Sequence, residues 1–540
     1  MGWNTHEVTN QVPDLIDYNL YAADTVLQEA VAREGADAAT QALSDFGCEL
    51  GQAHIIALAQ QVDRHPPEAR PFDRQGRRID SVEFHPGWHE FLRMGVRQGL
   101  HQPAAVARAA AFMLHGQIEA GSLCPLTMTS ASIPILAREA WFTDMAQSLG
   151  SLEYDPRDIP VAAKQGMLIG MGLTEKQGGS DLRRNTTLAA PVEGGEGWCR
   201  LVGHKWFFSV PTADAHLVLA LLDGMPTCFY VPRRLPDGSR NAIRLMQLKD
   251  KLGNRSNASA EVEFQDALGR VVGEPGRGIA TLVEMAGYTR LDCVLGSTAL
   301  MRAALVQAMH HAQHRVAFGR PLLQLPLMRT VLMDLALEVE AAVALSMRLA
   351  RAVSAGPEGS DLERAFARIV TPAAKFWVCK RAIPVVAEAL EVLGGNGYVE
   401  THVLSRLYRE TPVNSLWEGS GNIMCLDVLR ATHRHPEWMQ ALLDWLPQAL
   451  SGDAALLRRV DALKAQLVRP APELEAVARH VTGTLTLLVQ AALLRAHAPQ
   501  VVADAFMATR FTDDSQAVPG MSVSPTALDS VLQRAWRAAF

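Results

Sequence analysis

A change of hydrophobic periodicity in the middle of the chain limits the folds that this sequence can adopt. Residues 1–160 are rich in Ala and Leu and predict mostly helices with loops. From about 161 to 285 the period becomes two, and Ala260, Val262 and Phe264 alternate with polar residues, as in a half-buried strand. The chain therefore predicts a β-rich segment between helical ones.

The helical period returns from about residue 286. Leu332, Leu335 and Val339 repeat at steps of three and four residues, which is typical of a helix face in a core. The predicted order of helices and strands lacks the βαβ alternation of nicotinamide-binding folds, and the sequence lacks their Gly-rich fingerprint. Binding of a nicotinamide cofactor is therefore disfavoured. We predict an α+β fold in four parts: an N-terminal helical domain (1–160), a central β-rich domain (161–285), a C-terminal helical bundle (286–435) and an extra C-terminal helical region (436–540).

The composition excludes several broad classes of protein. The chain has 540 residues, of which 48% are hydrophobic and 20% are charged, as in globular domains. A net charge of −6 disfavours a strongly basic nucleic-acid binder at the level of the whole chain. The seven cysteines form no CxxC pattern, which fits a reducing compartment. With neither a signal-peptide pattern nor an apolar run of membrane length, we expect a cytoplasmic protein without a membrane span.

Two segments around the β-rich part contain residues suited to a planar ligand. In GMGLTEKQGGSD, residues 170–181, Thr174 and Ser180 add hydroxyls to a glycine-rich backbone that can approach a ligand closely. In HKWFFS, Trp206 can cover a ring and Ser209 can bond its edge. Taken alone, the first segment reads more readily as a turn, and the second equally well as a strand with core aromatic residues.

Two later segments contain charged residues of chemical interest. In RVAFGRPLLQ, Arg315 can pair with a pyrophosphate and Phe318 can pack on an adenine, although a capped helix end explains the same residues equally well. In NSLWEGSGNIMCL, Glu418 follows a large aromatic residue and could act as a general base, or could be a favourable acid in a first helical turn. His310 and His314 lie one turn apart without further ligands, so no metal site is predicted.

Together these segments resemble the signatures of flavin-dependent acyl-CoA dehydrogenases. TEKQGGSD, RVAFG, EVLGGNGY and LWEGSGNI are similar to TEPxAGSD, RxxFG, QxxGGxGY and IYEGTxxI, in the same order and at family spacing. Longer strings such as CPLTMT, LVGHKWFFSVP and LKDKLGNRSNAS resemble the AidB, or adaptive-response, branch. That branch has an extra C-terminal helical region. The resemblance covers nearly the whole chain and implies the acyl-CoA dehydrogenase-like fold.

The resemblance implies FAD, bound without a covalent link. One group of residues would line the isoalloxazine, a second would close the site from the C-terminal helices, and Arg315, Phe318 and Gln324 would reach the ADP part of FAD in a neighbouring subunit of a homotetramer. The residues of the first two groups are Met171, Leu173, Thr174, Ser180, Trp206, Phe207, Phe208, Ser209, Leu416, Trp417, Gly419, Ser420 and Asn422.

The implied reaction is α,β-dehydrogenation of a short or branched acyl-CoA thioester. Glu418 matches the usual base, which removes the α-proton while the β-hydride goes to flavin N5. The backbone N–H of Glu418 would donate to the thioester carbonyl. In isovaleryl-type members the base lies at the position of Thr289, which cannot act as a base. Lys176 and Gly178 depart from the family's Pro and Ala. An acyl-CoA oxidase, in which oxygen reoxidises the flavin, fits the same motifs.

The AidB resemblance also links the chain to the response to DNA alkylation. An alternative function is therefore a DNA-binding flavoprotein that protects or repairs alkylated DNA with little acyl-CoA turnover. Double-stranded DNA would bind through residues 436–540. Residues 441–540 contain nine basic and nine acidic residues, so this segment is not basic overall, and a solvated helix surface is the plainer interpretation.

Overall fold

The computed structural model describes residues 3–511, 518–521 and 525–537. The helices before the main sheet are α1 (Thr25–Arg33), α2 (Thr40–Leu50), α3 (Ala53–Arg64), α4 (Pro86–Arg97), α5 (Val106–Ile118), α6 (Leu123–Leu136) and α7 (Thr143–Leu149). The helices after it are α8 (Gly278–His314), α9 (Pro326–Ala355), α10 (Asp361–Ala365), α11 (Thr371–Val392), α12 (Gly395–Tyr398), α13 (Val403–Leu416), α14 (Gly421–Arg434), α15 (Pro436–Ala449), α16 (Ala454–Leu467), α17 (Ala471–Ala476), α18 (Ala478–His497), α19 (Gln500–Arg510) and α20 (Leu528–Ala535).

The strands form a main sheet and two small hairpins. They are β1 (Glu68–Phe72), β2 (Arg78–Glu83), β3 (Ile169–Gly172), β4 (Leu188–Pro191), β5 (Trp198–Ser209), β6 (Ala215–Leu222), β7 (Met225–Pro232), β8 (Ile243–Leu248), β9 (Ser259–Val272), β10 (Val316–Ala317) and β11 (Arg320–Pro321).

Contacts divide the chain into two compact units, which do not follow the four predicted segments. Unit 1 comprises the described parts of Met1–Ile56, Cys293–Leu416 and Met424–Phe540. Unit 2 comprises Ala57–Asp292 and Trp417–Ile423. The predicted boundaries at 160, 285 and 435 therefore remain predictions.

The main sheet of unit 2 has seven strands in the order β3-β6-β4-β5-β9-β7, with β8 paired to β9. Because β6 also pairs with β7, the sheet closes on itself. The predicted alternation is confirmed in part in β9: Ala260, Val262 and Phe264 are at most 1% exposed, but Glu261 between them is also buried. The long antiparallel pair β5–β9 shifts register between Lys205 and Phe208. This irregularity breaks the in–out alternation of HKWFFS and determines which of its aromatic rings are exposed.

The hairpin β1–β2 was not predicted, because residues 1–160 were expected to contain mostly helices with loops. Its two strands pair antiparallel, with Ala69 opposite Val82, and the turn passes through Gly76 at a φ of 79°. The buried positions of β2 are Asp80 and Val82, and its apolar residues Ile79 and Val82 lie three apart, so the strand has no period-two hydrophobic signal. Arg78 of this hairpin donates to the carbonyl oxygen of Leu245 in β8 at 3.1 Å, which attaches the hairpin to the main sheet.

Unit 1 is built around the long helix α9. Pro326 occupies its first turn and Gly356, at a φ of 59°, follows its end, which is the usual asymmetry of helix termini. The predicted stripe of Leu332, Leu335 and Val339 is buried. The predicted C-terminal region is helical where it is described and contributes α15 to α20 to this unit.

One helix of the described chain, α8, is long and apolar enough to cross a membrane by length and composition. In its most apolar window, 89% is buried inside the protein. A core helix passes the same test, so this finding is weak evidence for a membrane span.

Candidate active site around Glu418

Glu418 lies in a short turn between α13 and α14 and has a left-handed backbone. Its φ is 58°, and the φ of Gly419 is 101°. Glycine adopts such angles freely, whereas a glutamate rarely does and is strained in them. Because backbone strain of this kind persists only where surrounding contacts hold it, the turn marks Glu418 as a constrained position.

Two consecutive residues of α8 supply those contacts. The Thr289 hydroxyl donates to Oε2 of Glu418 at 2.6 Å, and Arg290 Nε donates to the backbone carbonyl oxygen of Glu418 at 3.2 Å. Thr289 is 1% exposed. The side chain and the backbone of the predicted base are therefore held by the same helix.

This part of α8 is itself anchored within unit 2. Asp292, one turn after Thr289, accepts two hydrogen bonds from Arg108 of α5, one of them at 2.7 Å, and one from Thr127 of α6 at 2.7 Å. The Arg108 and Asp292 side chains are 6% and 5% exposed. A buried bidentate pair of this kind is both strong and directional, so it fixes the helix segment that presents Thr289.

The loop TEKQGGSD is held to the strand HKWFFS by a buried ion pair that the sequence reasoning missed. Lys205 Nζ lies 2.6 Å from Oε1 of Glu175, and both side chains are 0% exposed. Glu175 also accepts from the backbone N–H groups of Thr186 and Thr187 at 2.7 and 3.2 Å. Burial opposes the charge of this carboxylate, but Lys205 and these donors outweigh it and lower the pKa of Glu175 to about 2.

The ion pair brings the two predicted ligand segments together. Trp206 donates its backbone N–H to the carbonyl oxygen of Thr174 at 2.9 Å. A Cβ atom at Gly179 would lie 2.5 Å from the Thr174 hydroxyl oxygen, so a larger residue there would force the Thr174 side chain to move. Met171 is buried in β3, Leu173 and Thr174 are half-buried, and Ser180 is exposed.

The three aromatic rings of HKWFFS have different surroundings. Lys249 Nζ lies 3.2 Å from the ring centroid of Trp206, so a cation already covers that ring, for which we predicted contact with a planar ligand. Phe208 is 0% exposed and stacks on His216 at 3.8 Å, which leaves only its backbone for a ligand. Phe207 is 51% exposed. Of the three, Phe207 therefore offers the most accessible ring, and Ser209 is half-buried at the end of the strand.

These features fit the isoalloxazine of FAD. The segments supply an exposed aromatic ring at Phe207, apolar side chains at Met171 and Leu173, and hydroxyls at Thr174 and Ser209, which is the combination a flat ring with a polar edge needs. Trp417, Gly419 and Ser420 are half-buried next to the base, and Asn422 is exposed. Leu416 is 65% exposed and belongs to unit 1.

The residues predicted for the ADP part of FAD lie in unit 1. Phe318 and Gly319 form the two-residue turn between β10 and β11, with φ values of 54° and 80°. Phe318 is 93% exposed. Arg315 donates to the carbonyl oxygen of Asn10, and Asn10 Nδ2 donates to Val316 O at 2.8 Å, so the N-terminal segment holds this hairpin. Gln324 is exposed.

The histidine pair singled out in the sequence has other partners. His314 Nδ1 lies 2.9 Å from the carbonyl oxygen of His310, and His310 Nε2 lies 2.8 Å from that of Pro13. Within the described parts of the chain, no group of three or more His, Cys, Asp or Glu residues is arranged to hold a metal ion.

Comparison with known proteins adds the family. Three protein-family models match the chain. Residues 10–156 match the adaptive response protein AidB N-terminal domain, and residues 170–267 match the acyl-CoA dehydrogenase middle domain. Residues 276–433 match the acyl-CoA dehydrogenase C-terminal domain. The chain is 50% identical over 517 residues to AidB of Escherichia coli (strain K12), with 94% of each chain covered. The chain belongs to the AidB family of acyl-CoA dehydrogenases.

Solved structures show the same fold. The structure of ACDH-11 from Caenorhabditis elegans in complex with C11-CoA matches with a TM-score of 0.81 and 23% identity, over 99% of this chain and 93% of that one. The structure of an acyl-CoA dehydrogenase complexed with FAD from Bacillus anthracis matches with a TM-score of 0.63 and 18% identity, over 84% of this chain and 81% of that one. Both likenesses show the fold. The predicted fold is thus confirmed, and membership of the family indicates FAD as the cofactor.

Proposed function

We propose that this protein oxidises short or branched acyl-CoA thioesters by α,β-dehydrogenation, with Glu418 as the base. The supporting observation is that Thr289 and Arg290 hydrogen-bond to Glu418, whose backbone is strained. A carboxylate that must remove a weakly acidic proton has to stay in one place relative to its substrate, and orientation of this kind accounts for a large part of catalysis.

The residues of the chain divide the work as follows. Thr289 hydrogen-bonds Oε2 of Glu418 and so directs the carboxylate, which takes the α-proton of the acyl chain. The backbone N–H of Glu418 donates to the thioester carbonyl oxygen, where negative charge develops. When bound, FAD supplies the redox chemistry by accepting a hydride from the β-carbon. Phe207 and Ser209 hold the isoalloxazine, while Arg315 and Phe318 hold the ADP part of FAD of a neighbouring subunit in a homotetramer.

Anaerobic titration of the FAD-loaded protein with isovaleryl-CoA tests the proposal. We expect the flavin absorbance near 450 nm to bleach in the wild type and to stay unchanged in Glu418→Gln. The matched control is Glu475→Gln, at an exposed position of α17, which should bleach like the wild type. Full bleaching in Glu418→Gln at the wild-type rate would contradict the assignment of the base.

DNA binding is the second candidate function, and the exposed basic residues of α16 are the observation in its favour. Arg458 is exposed on this helix, whereas Arg459, also exposed, donates to the carbonyl oxygen of Phe511 at 2.8 Å. Other cations of the C-terminal region are engaged, since Arg510 pairs with Glu338 at 3.1 Å and Arg534 pairs with Glu340 at 2.7 Å. A salt-dependent gel shift with duplex DNA that Arg458→Ala weakens would support DNA binding. No shift at low salt would exclude it. A role in the alkylation response and a cytoplasmic location remain proposals from the resemblance to AidB.

A further inference from the structure

The hairpin β10–β11 in unit 1 is a small element with few hydrogen bonds of its own. Its strands are two residues long each, β10 at Val316–Ala317 and β11 at Arg320–Pro321. The backbone N–H of Leu322 donates to the carbonyl oxygen of Arg315 at 2.9 Å, which extends the pair by one bond. Because a two-stranded hairpin is only marginally stable in water, this one depends on contacts outside its own strands.

The side chain of Asn10 supplies such contacts at the outer edge of β10. Asn10 Nδ2 donates to the carbonyl oxygen of Val316 at 2.8 Å, and Asn10 Oδ1 accepts from the backbone N–H of Val316, also at 2.8 Å. Neighbouring residues of an antiparallel strand direct their backbone groups to opposite sides. Since the carbonyl oxygen of Arg315 faces the partner strand, the groups of Val316 face away from it. The Asn10 amide therefore pairs with this free edge as a third strand would.

The same residue also holds the side chain of Arg315, at the start of the hairpin. One guanidinium nitrogen of Arg315 donates to the backbone carbonyl oxygen of Asn10. A guanidinium has further N–H donors in a fixed plane, so this bond directs the group and leaves other donors for an anion. Asn10 thus contacts both the edge of the hairpin and the cation at its base.

The segment that carries Asn10 is itself fastened within unit 1. Asn10 has a φ of 54°, in the left-handed region that asparagine adopts more readily than most residues. The carbonyl oxygen of Pro13 lies 2.8 Å from His310 Nε2, near the end of α8. The backbone N–H of Asp17 donates to the carbonyl oxygen of Gly51 at 2.7 Å, just after α2. Asn10 is therefore exposed but has a set position relative to the hairpin.

Packing of the hairpin does not account for this attachment. Val316 is 42% exposed and Phe318 is 93% exposed, and Arg320 is exposed too. Holding such an element in place buries little apolar surface, so the hydrophobic stabilisation gained is small. What the contacts fix is the position of an exposed aromatic ring next to arginine side chains. This combination fits an adenine ring with an attached diphosphate.

We propose that Asn10 is a positioning residue for FAD, because it holds the β10–β11 hairpin in the form in which Arg315 and Phe318 bind the ADP part of the cofactor. Ordering a mobile segment on binding costs free energy, and a hairpin that is already ordered avoids that cost. By linkage, bound FAD strengthens the contact between Asn10 and Val316 in return. The inference rests on the proposed assignment of Arg315 and Phe318 to FAD, and it extends the cofactor site to the N-terminal segment.

The first test is a fluorescence titration of the full-length apoprotein with FAD. Asn10→Gly removes the amide but keeps the backbone, because glycine adopts a φ of 54° freely. Two neutral hydrogen bonds are lost, so we expect the affinity for FAD to fall about tenfold. The unfolding temperature of the apoprotein should change little. The control is Asp223→Gly, an exposed residue with a φ of 50° in the turn between β6 and β7, which should bind FAD as the wild type does.

Two further measurements separate positioning from a general structural role. In a variant with both Arg315→Ala and Phe318→Ala, adding Asn10→Gly should weaken FAD binding less than about twofold, since the hairpin then has no side chain left to position. Hydrogen exchange of the Val316 amide, followed by mass spectrometry, should slow on adding FAD in the wild type and not in Asn10→Gly.

The outcomes distinguish this proposal from the function on which it rests. Unchanged FAD affinity in Asn10→Gly, or a full tenfold loss in the variant that lacks Arg315 and Phe318, would overturn the role of Asn10. A change in the number of subunits of Asn10→Gly, measured by light scattering, would also overturn it, because the residue would then act on assembly. Wild-type FAD affinity in both Arg315→Ala and Phe318→Ala would overturn the assignment of the hairpin to FAD. Dehydrogenation through Glu418 is tested separately by the isovaleryl-CoA titration.

Discussion

Glu418 combines two features that a residue in an ordinary turn does not need. A left-handed backbone at a glutamate costs on the order of 1–3 kcal/mol, and here it occurs at a φ of 58°. The hydrogen bond from Arg290 to the Glu418 carbonyl oxygen stabilises that backbone, and Thr289 directs the carboxylate. The strained backbone and the hydrogen bonds that stabilise it both occur at the predicted base, as expected of a functional position.

Replacing Thr289 with Val tests the positioning of the base. The variant keeps the shape but loses the hydroxyl, and a hydrogen bond to a charged group is worth about 1.5–3 kcal/mol. We expect the rate constant of flavin reduction by isovaleryl-CoA to fall about tenfold or more, while the dissociation constant of the substrate changes less than twofold. Thr289→Ser, which retains the hydroxyl, should recover most of the rate. Equal losses in both variants would indicate a packing role.

At the scale of elements, the site depends on segments that are far apart in the sequence. The pair of Glu175 and Lys205 joins the loop after β3 to the strand β5, and the Trp206 backbone then bonds to Thr174. The same strand β5 carries the exposed ring of Phe207 and the half-buried Ser209.

The stability of this join depends on pH in a definite direction. The pKa of Glu175 is lowered from its ordinary value of about 4.5 to about 2, so the stability it contributes is present above pH 4.5 and is lost as the pH falls toward 2. We expect Glu175→Gln to lower the free energy of unfolding by about 3 kcal/mol at pH 7. The difference from the wild type should shrink steadily below pH 4.5, as measured by denaturant titration. Glu193→Gln, at an exposed position, is the control and should change little. A difference that does not vary with pH would contradict the ion pair.

Much of the element structure could be predicted from local pattern, and the exceptions have a physical cause. The alternation around Val262 and the stripe on α9 are signals within one element, so they were visible in the sequence. The partner of Glu418, Thr289, is 129 residues away, and the pairing of Glu175 with Lys205 spans 30 residues. Such contacts depend on how elements are brought together, and a single sequence contains no record of that.

At the scale of the whole molecule, buried ion pairs attach the C-terminal region to the rest of unit 1. Arg510 at the end of α19 pairs with Glu338 of α9, and both side chains are 2% exposed. It also pairs with Asp334 at 2.5 Å. The described part of the region predicted as residues 436–540 therefore belongs to one compact unit with α9.

Removing the arginine tests this attachment. Arg510→Met leaves Glu338 with fewer partners in a buried site, and breaking a buried pair costs about 3–5 kcal/mol. We expect a loss of that order in the free energy of unfolding. Arg458→Met, at an exposed position of α16, should change the value by less than about 0.5 kcal/mol. Similar effects of the two variants would show that the C-terminal region is held in some other way.

Phe318, at the tip of the β10–β11 hairpin, provides a test of cofactor binding. Phe318 is 93% exposed, so Phe318→Ala should leave the unfolding temperature unchanged. If the ring packs on the adenine of FAD across a subunit interface, the variant should bind FAD about tenfold more weakly, as measured by fluorescence titration of the apoprotein. Unchanged FAD affinity in an assembly of four subunits, established by light scattering, would exclude that role for Phe318.

The central claim is that Glu418 removes the α-proton, and proton exchange tests it separately from hydride transfer. In a 3-thia-acyl-CoA, sulfur replaces the β-carbon, so the ligand cannot lose a hydride but retains its α-protons. We predict that the FAD-loaded protein in D₂O exchanges these protons for deuterium, as followed by mass spectrometry. In Glu418→Gln the exchange should fall at least about a hundredfold, although the ligand still binds. Exchange at the wild-type rate in that variant would contradict the account.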